Sequence, residues 1–159
     1  MTVAAEPTLQ SFVLLRIGER RFALPASQVA ELVAPSRVFR FPHTSPALEG
    51  VILRRGRMIA VCDIAEQLNG KKLDTRRFNL LATRKYGSQQ DWIAIPVSGE
   101  CELINADMIE ASSSDSPHVD GWLSHAGEVI EVLRLSALTP GPPEAELPAP
   151  LNNFAEARS

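Results

Sequence analysis

Cysteine is scarce in this sequence: Cys62 and Cys101 are the only two among 159 residues. Two thiols cannot build a disulfide scaffold or a four-cysteine metal site. No apolar run approaches the roughly 18 residues of a membrane-spanning helix. The N-terminus lacks the basic region and apolar stretch of a secretory signal, so the cytoplasm is the expected compartment. Gly-rich phosphate loops, HExxH, CxxC and GxSxG are all missing, and with them the usual sites for nucleotides, zinc, redox dithiols and activated serine. His43, His118 and His125 are scattered, so no metal and no cofactor is expected. Asp63 and Glu66 stand at a strand end and in the following turn, where carboxylates bind backbone or a nearby arginine more often than they do acid–base work. Cys62, between Val61 and Asp63, reads as a small core residue and not as a reactive thiol. Catalysis is therefore not expected.

Each half of the chain also lacks charge of one sign. Up to residue 85 there are 14 Lys/Arg against 7 Asp/Glu; from residue 86 on there are 2 against 12. The net charge of -3 is a cancellation between a basic half and an acidic half. Phe39 and Phe41 interleave with Arg37 and Arg40 as in some nucleic-acid binders, but an acidic half would repel a phosphate backbone, so no nucleic acid is expected.

What is present is a composition 45% hydrophobic, enough for a self-standing fold. Residues 11–17 and 21–25 predict two strands around a Gly18-Glu19 turn. In residues 26–33 the spacing of Val29, Leu32 and Val33 predicts a short helix capped by Ser27 and stopped by Pro35. Arg37 to Phe41 reads as an exposed strand, and Pro42 and Pro46 bracket a rigid loop through His43. Leu48 to Ile64 reads as strand, turn at Arg55-Gly56, strand, followed by one helical turn over Ala65 to Leu68. Strands follow at 78–83 and 92–97 around a polar loop from Gly87 to Asp91. Cys101 to Ile109 has no clear period, residues 111–117 read as a mobile loop, and Gly121–Leu123 and Glu128–Leu135 as strands. Met58 and Trp122 are expected in or near the core, and Trp92 at a seam between lobes. Residues 1–10 read as a flexible N-terminus, and 139–159 as an extended Pro-rich acidic tail without packed structure.

The sequence also repeats itself. Phe12-Val13-Leu14-Leu15 is echoed by Phe78-Asn79-Leu80-Leu81. The glycine pair Gly50 and Gly56 returns as Gly121 and Gly127, followed in each case by an apolar strand. The offset is 71 residues. A duplication implies two small β-rich lobes of similar topology, each marginal alone, packed along a seam that makes a natural binding groove. Among the arginines at the Gly56 turn, Arg55 is the better candidate for a directed partner contact, because its guanidinium is a rigid multi-donor fork. Arg54 and Arg57 read equally well as solvated turn residues.

Two segments, FVLLRIGERRFALPASQVAEL at 12–32 and LEGVILRRGRMIAVCDI at 48–64, carry a family resemblance. The chain resembles the CheW-like family, the coupling proteins of bacterial chemosensory arrays. The pattern of glycine, strand, Leu-Arg-Gly, hydrophobic strand and Asp-Leu is matched by Gly50, Arg54-Arg55-Gly56, Met58 to Cys62 and Asp63-Ile64. The resemblance runs over residues 11–138. It implies an all-β fold of two packed five-stranded SH3-like β-barrel lobes with short helices, roughly 11–77 and 78–138, with exchange of strands or helices between them left open. It implies a non-enzymatic scaffold that couples the cytoplasmic tip of methyl-accepting chemoreceptors to the regulatory domain of a CheA-like histidine kinase, in signal transduction of the two-component type. Partners would be these two, with weak self-association and no membrane insertion. Val29, Glu31, Gly50, Arg54, Arg55 and Arg57 are the positions it nominates for receptor or kinase binding. The alternative is a β-barrel interaction module of another regulatory system.

The chain departs from the family pattern at Leu53-Arg54, where Asn-Leu is usual, at Ser98-Gly99 for Asp-Gly, and at Arg134-Leu135 for Asn or Asp before Ile or Leu. These departures leave the pathway open between flagellar motility and another output. The opposite charge of the halves suggests head-to-tail partnering, a basic lobe against an acidic one.

Overall fold

The computed structural model describes residues 9–40, 47–86, 88–112 and 116–139. The first eight residues, the Pro42–Pro46 loop with His43, part of the 111–117 loop and the tail beyond Thr139 lie outside the described residues.

Among the described residues, eleven strands and two short helices follow in order: β1 Gln10–Ile17, β2 Arg20–Pro25, β3 Val29–Val33, β4 Leu48–Arg54, β5 Arg57–Cys62, α1 Ala65–Asn69, β6 Phe78–Tyr86, β7 Gln89–Val97, β8 Glu102–Ala106, β9 Ile109–Glu110, β10 Val119–His125, β11 Glu128–Leu133 and α2 Leu135–Leu138. They form a five-stranded sheet in the order β3-β6-β7-β5-β4 and a six-stranded sheet in the order β8-β1-β2-β11-β10-β9. The sixth strand is only the two-residue β9.

The apolar runs are long because many strands are covered on both faces. In β1, Phe12 and Leu14 enter a core enclosed by the six-stranded sheet, while Leu15 and Ile17 face the other way. In β7, Ala94 enters the core of the five-stranded sheet while Ile93, Ile95 and Val97 turn outward. The outward sets meet in one central layer, joined by Phe22, Leu24, Cys62 and Leu133 and closed by Leu135 and Leu138 of α2. Three apolar layers result: one inside each lobe and a larger one between them.

The 71-residue repeat is visible in the backbone. Arg55-Gly56 and Ala126-Gly127 both turn with two positive φ angles, 53° and 76° against 51° and 80°. That is the hairpin turn whose twist matches the flanking strands. Both hairpins carry a register shift just before the first glycine, at Leu48/Gly50 and at Val119/Gly121. The Asp63 amide donates to the Ala47 carbonyl, and the Arg134 amide to that of His118, again 71 residues on.

Several local expectations are corrected. Residues 26–33 are not a helix: Ala26–Gln28 form one 3₁₀ turn without a side-chain cap, and Val29–Val33 form β3. The Val29, Leu32, Val33 spacing arises because a register shift between Val29 and Glu31 breaks strict alternation. Of the expected strand Arg37 to Phe41, Phe41 lies outside the described residues, and among the described ones Phe39 alone makes a ladder contact, exchanging both backbone hydrogen bonds with Val51 at 2.8 and 3.0 Å. Most of the Gly87–Asp91 segment is strand, since β7 begins at Gln89. The segment without a clear period contains β8 and β9. Met58 is 68% exposed, not core. Trp92 packs against the core inside the five-stranded sheet and not at the seam.

Asp63 acts as its sequence position suggests. It is buried and accepts from the backbone amides of Ala65 (2.9 Å) and Leu73 (3.1 Å) and from Arg76 (2.6 Å). Arg76 spans from there to both oxygens of Glu49, at 2.6 and 2.7 Å. This ties the charged 71–77 segment to the sheet. The hydrogen bond from Arg76 holds the Glu49 carboxyl below its ordinary 4.5, against the opposing pull of burial. A lowered folded pKa gives stability that is complete above 4.5 and lost as pH falls below it. The urea midpoint should therefore drop between about pH 5 and about pH 3, and drop less steeply in Glu49→Gln. Equal slopes in the two proteins would show that this pair does not contribute to acid sensitivity.

Candidate functional site

β3 and β4 are the two edges of the five-stranded sheet, yet their side chains meet. Glu31 on β3 accepts a hydrogen bond from Arg54 at the end of β4, and Arg55 lies 3.7 Å from the same carboxylate oxygen. The pair closes the sheet toward a barrel, which leaves fewer exposed edges. The Arg54 hydrogen bond holds the Glu31 carboxyl below its ordinary value. The buried Arg54 Nε has no acceptor among the described residues. Across the turn, Arg57 stacks over the Trp92 ring, 4.8 Å from guanidinium to centroid. Arg55 keeps its side chain 76% exposed while reaching the Glu31 carboxylate.

Four of the six nominated residues therefore converge at one end of the lobe: Glu31, Arg54, Arg55 and Arg57. The other two do not join them at the surface. Val29 packs against the central apolar layer. Gly50 is explained by its backbone: φ is +151°, and a Cβ there would lie 2.5 Å from the Phe39 carbonyl oxygen.

Apolar surface lies beside the arginines. Leu53 and Met58 face each other across the β4–β5 ladder, 57% and 68% exposed. Directly opposed residues share a sheet face. Phe39, opposite Val51, adds a third exposed apolar side chain to that face, with Arg37 stacked on it at 4.9 Å. Seventy-one residues on, the corresponding positions hold Glu110, Ser124 and Val129. The three-residue patch is not repeated there: of these only Val129 is apolar and exposed, with Ile109 exposed beside Glu110. Elsewhere the exposed Leu103 on β8 sits opposite Val13 of β1 on the face whose Leu15 and Leu24 fill the seam.

Sequence reasoning missed Leu53, Met58 and Leu103 as surface groups. Alternation within a hairpin places Leu53 and Met58 on one face, but it cannot say that nothing covers that face. The arrangement holds no chemistry of bond making. Among the described residues no three or more His, Cys, Asp and Glu side chains gather to hold a metal. Burial pushes the Cys62 thiol up to about 12 and the Cys101 thiol up to about 11, so neither is an activated nucleophile. Among the described residues no helix is long and apolar enough to cross a membrane. The site can bind, through apolar contact and directed cations.

Comparison with known proteins follows from this geometry. The profile of the CheW-like domain family matches residues 11–90. No curated protein sequence matches the chain. Among solved structures, the crystal structure of the scaffolding protein TtCheW from Thermoanaerobacter tengcongensis is similar at 19% identity and a TM-score of 0.70. The match covers 92% of this chain and 99% of that one, and the shared feature is the fold.

Proposed function

The chain belongs to the CheW-like domain family, a family of non-enzymatic scaffolds in chemotaxis signalling, and we propose that it couples a methyl-accepting chemoreceptor tip to the regulatory domain of a CheA-like histidine kinase. The observation that carries this is the patch of Leu53, Met58 and Phe39 exposed on one face, with Arg37 stacked on Phe39 and Arg55 at the turn of a hairpin braced by Glu31–Arg54. Exposed apolar groups next to directed cations are the makings of a protein interface. The unlike residues at the repeat-related positions give the two lobes different partners, as a bridge requires. Val29 and Gly50 support the site by holding its backbone. The protein acts in the cytoplasm and reaches membrane-bound arrays through protein contacts, with residues 11–138 as the coupling unit.

The test is binding of the full chain to a receptor cytoplasmic fragment and, separately, to a kinase regulatory domain. Leu53→Glu/Met58→Glu should weaken at least one of the two by about tenfold or more. Thermal unfolding should barely move, because both side chains are already exposed. Unchanged affinity for both partners would reject the reading.

Arg55→Glu should act in the same direction, and added salt should weaken wild-type binding. Arg55 is the informative arginine, since its reversal disturbs only the looser 3.7 Å ion pair to Glu31. Reversing Arg54 would also break its bond to Glu31, and reversing Arg57 its stack on Trp92. A large fall in unfolding temperature for Arg55→Glu would make this residue structural instead.

A further inference from the structure

A groove of about 660 Å³ lies between the lobes, with the β1–β2 turn on one side and α1 and the segment after it on the other. Its walls are tied together. Asn69 Nδ2 donates to the Ile17 carbonyl at 2.9 Å, Arg20 to the Leu68 carbonyl at 3.0 Å, and the Gly18 amide to Ser98 Oγ at 2.9 Å. Each bond joins the opening hairpin of the six-stranded sheet to a segment that follows β5 or β7 of the other sheet. The groove is therefore preformed.

Its floor is apolar, from Ala65, Leu68 and Leu73, and its rim is charged. Arg16, Arg20, Lys71 and Lys72 stand there against Glu19 and Asp74. Arg20 lies 3.7 Å from Glu131 and Lys71 4.0 Å from Asp74. Arg16 and Lys72 have no ion pair among the described residues.

The repeat supplies a control within the same molecule. A second hollow, of about 380 Å³, is lined by Ser27 and Ser136. Seventy-one residues separate Ser27 from Ser98 and Ala65 from Ser136, so the two hollows are counterparts, one against α1 and one against α2. In the second, Arg84 is paired with Asp91 at 2.8 Å and Arg134 with Asp120 at 2.7 Å, which leaves Lys85. The architecture can thus form such a hollow with most of its cations neutralised. The free cations of the first are not something the fold requires.

The lining selects the occupant. A phosphate backbone is charged at every step, and Glu19 and Asp74 oppose it. None of the lining side chains is an aromatic on which a base could stack. An extended polypeptide presents alternate side chains to opposite faces. It can set apolar groups on the floor while its carboxylates meet the guanidinium and ammonium groups of the rim.

We propose that this groove docks an extended segment of a partner protein in which acidic and apolar residues alternate, the carboxylates on Arg16 and Lys72 and the apolar side chains on Leu68 and Leu73. α1 follows the end of β5 remote from the Arg55-Gly56 turn, about 20 Å along six strand residues. A segment held there leaves Leu53 and Met58 uncovered, so the proposal stands independently of the scaffold reading above.

The experiment selects a phage-displayed library of random peptides, about nine residues long, on the full chain in roughly 0.15 M salt. Clones that bind Arg16→Glu/Lys72→Glu equally well are discarded. The recovered peptides should carry Asp or Glu at alternate positions with apolar residues between them. Made synthetically, they should move the amide resonances of Gly18, Lys72 and Ser98, and bind Arg16→Glu/Lys72→Glu about tenfold or more weakly. Arg16→Gln/Lys72→Gln, which removes the charges without reversing them, should show a smaller loss. Lys85→Glu, in the counterpart hollow, should leave affinity unchanged. All three variants should unfold at the wild-type temperature, since these side chains are exposed. No enrichment over the charge-reversed variant would overturn the proposal, as would recovered peptides without acidic residues. An equal loss on Lys85→Glu would overturn it by reducing the effect to net charge, and resonance shifts confined to the β4–β5 hairpin would place the peptides elsewhere. A thymidine dodecamer that bound more tightly than every recovered peptide would overturn it in favour of a nucleic acid.

Discussion

Gly50→Ala should destabilise the protein by about 2–5 kcal/mol, the sum of backbone strain and overpacking. Two costs act together. At φ +151° an L-residue is strained, and the new methyl would sit 2.5 Å from the Phe39 carbonyl oxygen and 2.9 Å from Val38. The carbonyl cannot retreat freely, because it accepts the Val51 amide at 3.0 Å. The comparison is Gly56→Ala. Gly56 also has a positive φ, 76°, but nothing lies within 4 Å of its Cβ position. That variant should lose only about 1–2 kcal/mol, the left-handed penalty by itself. Urea denaturation of the two variants separates strain from crowding. Equal losses would mean that the Phe39 segment moves aside. Gly121 in the second hairpin belongs with Gly50, since a Cβ there would meet Met108 Cγ at 2.8 Å.

Asp63→Ala should cost about 3–5 kcal/mol, the range for removing one partner of a buried ion pair. The carboxylate satisfies two buried backbone amides and one guanidinium at once. Its loss leaves the two buried amides unpaired and Arg76 with Glu49 as its one carboxylate among the described residues, and Leu73, which is buried, loses the bond that brings its segment in. Against a total stability of 5–15 kcal/mol typical of domains, such a loss populates unfolded chains. Asp63→Asn is the sharper test. One amide oxygen can still accept from Ala65, but an NH₂ would face Arg76 and the Leu73 amide, so an intermediate loss is expected. An unfolding temperature for Asp63→Ala within about 2 °C of wild type would rule out this role, since each kcal/mol moves the midpoint by about 2–4 °C at this size.

Much of this protein was legible before any fold was considered. The 71-residue offset placed both hairpins, and the glycines at 50, 56, 121 and 127 are set by close approach or by the turn, which no other residue meets cheaply. The Leu48–Ile64 block carried the family likeness. Its weakest reading was Ala26–Val33. Five strand residues with one register shift mimic helical spacing, and only pairing with Leu80 and Leu81 on β6 decides for strand. The candidate site was legible in part: the arginines stood out, but Glu31 reaches Arg54 across 23 residues of sequence, and no local pattern encodes that.

The sharp division of charge between the halves is where tertiary structure had the last word. Sequence order assigns Arg16, Arg20 and Arg21 to the basic half. The fold lays β1 and β2 into the other sheet, beside β8 and β11. There Arg21 pairs with Glu128 at 2.7 Å and lies 3.7 Å from Glu102, while Arg20 lies 3.7 Å from Glu131. The opening hairpin thus neutralises part of the acidic lobe, and the polarity between lobes is smaller than the polarity between halves. The sequence alone determined the strands, the turns and the repeat, because these depend on local pattern and backbone conformation. Which sheet each hairpin joins was decided by burial: Leu15, Ile17, Phe22 and Leu24 are covered only when the hairpin lies across the seam, and that is a property of the assembled fold.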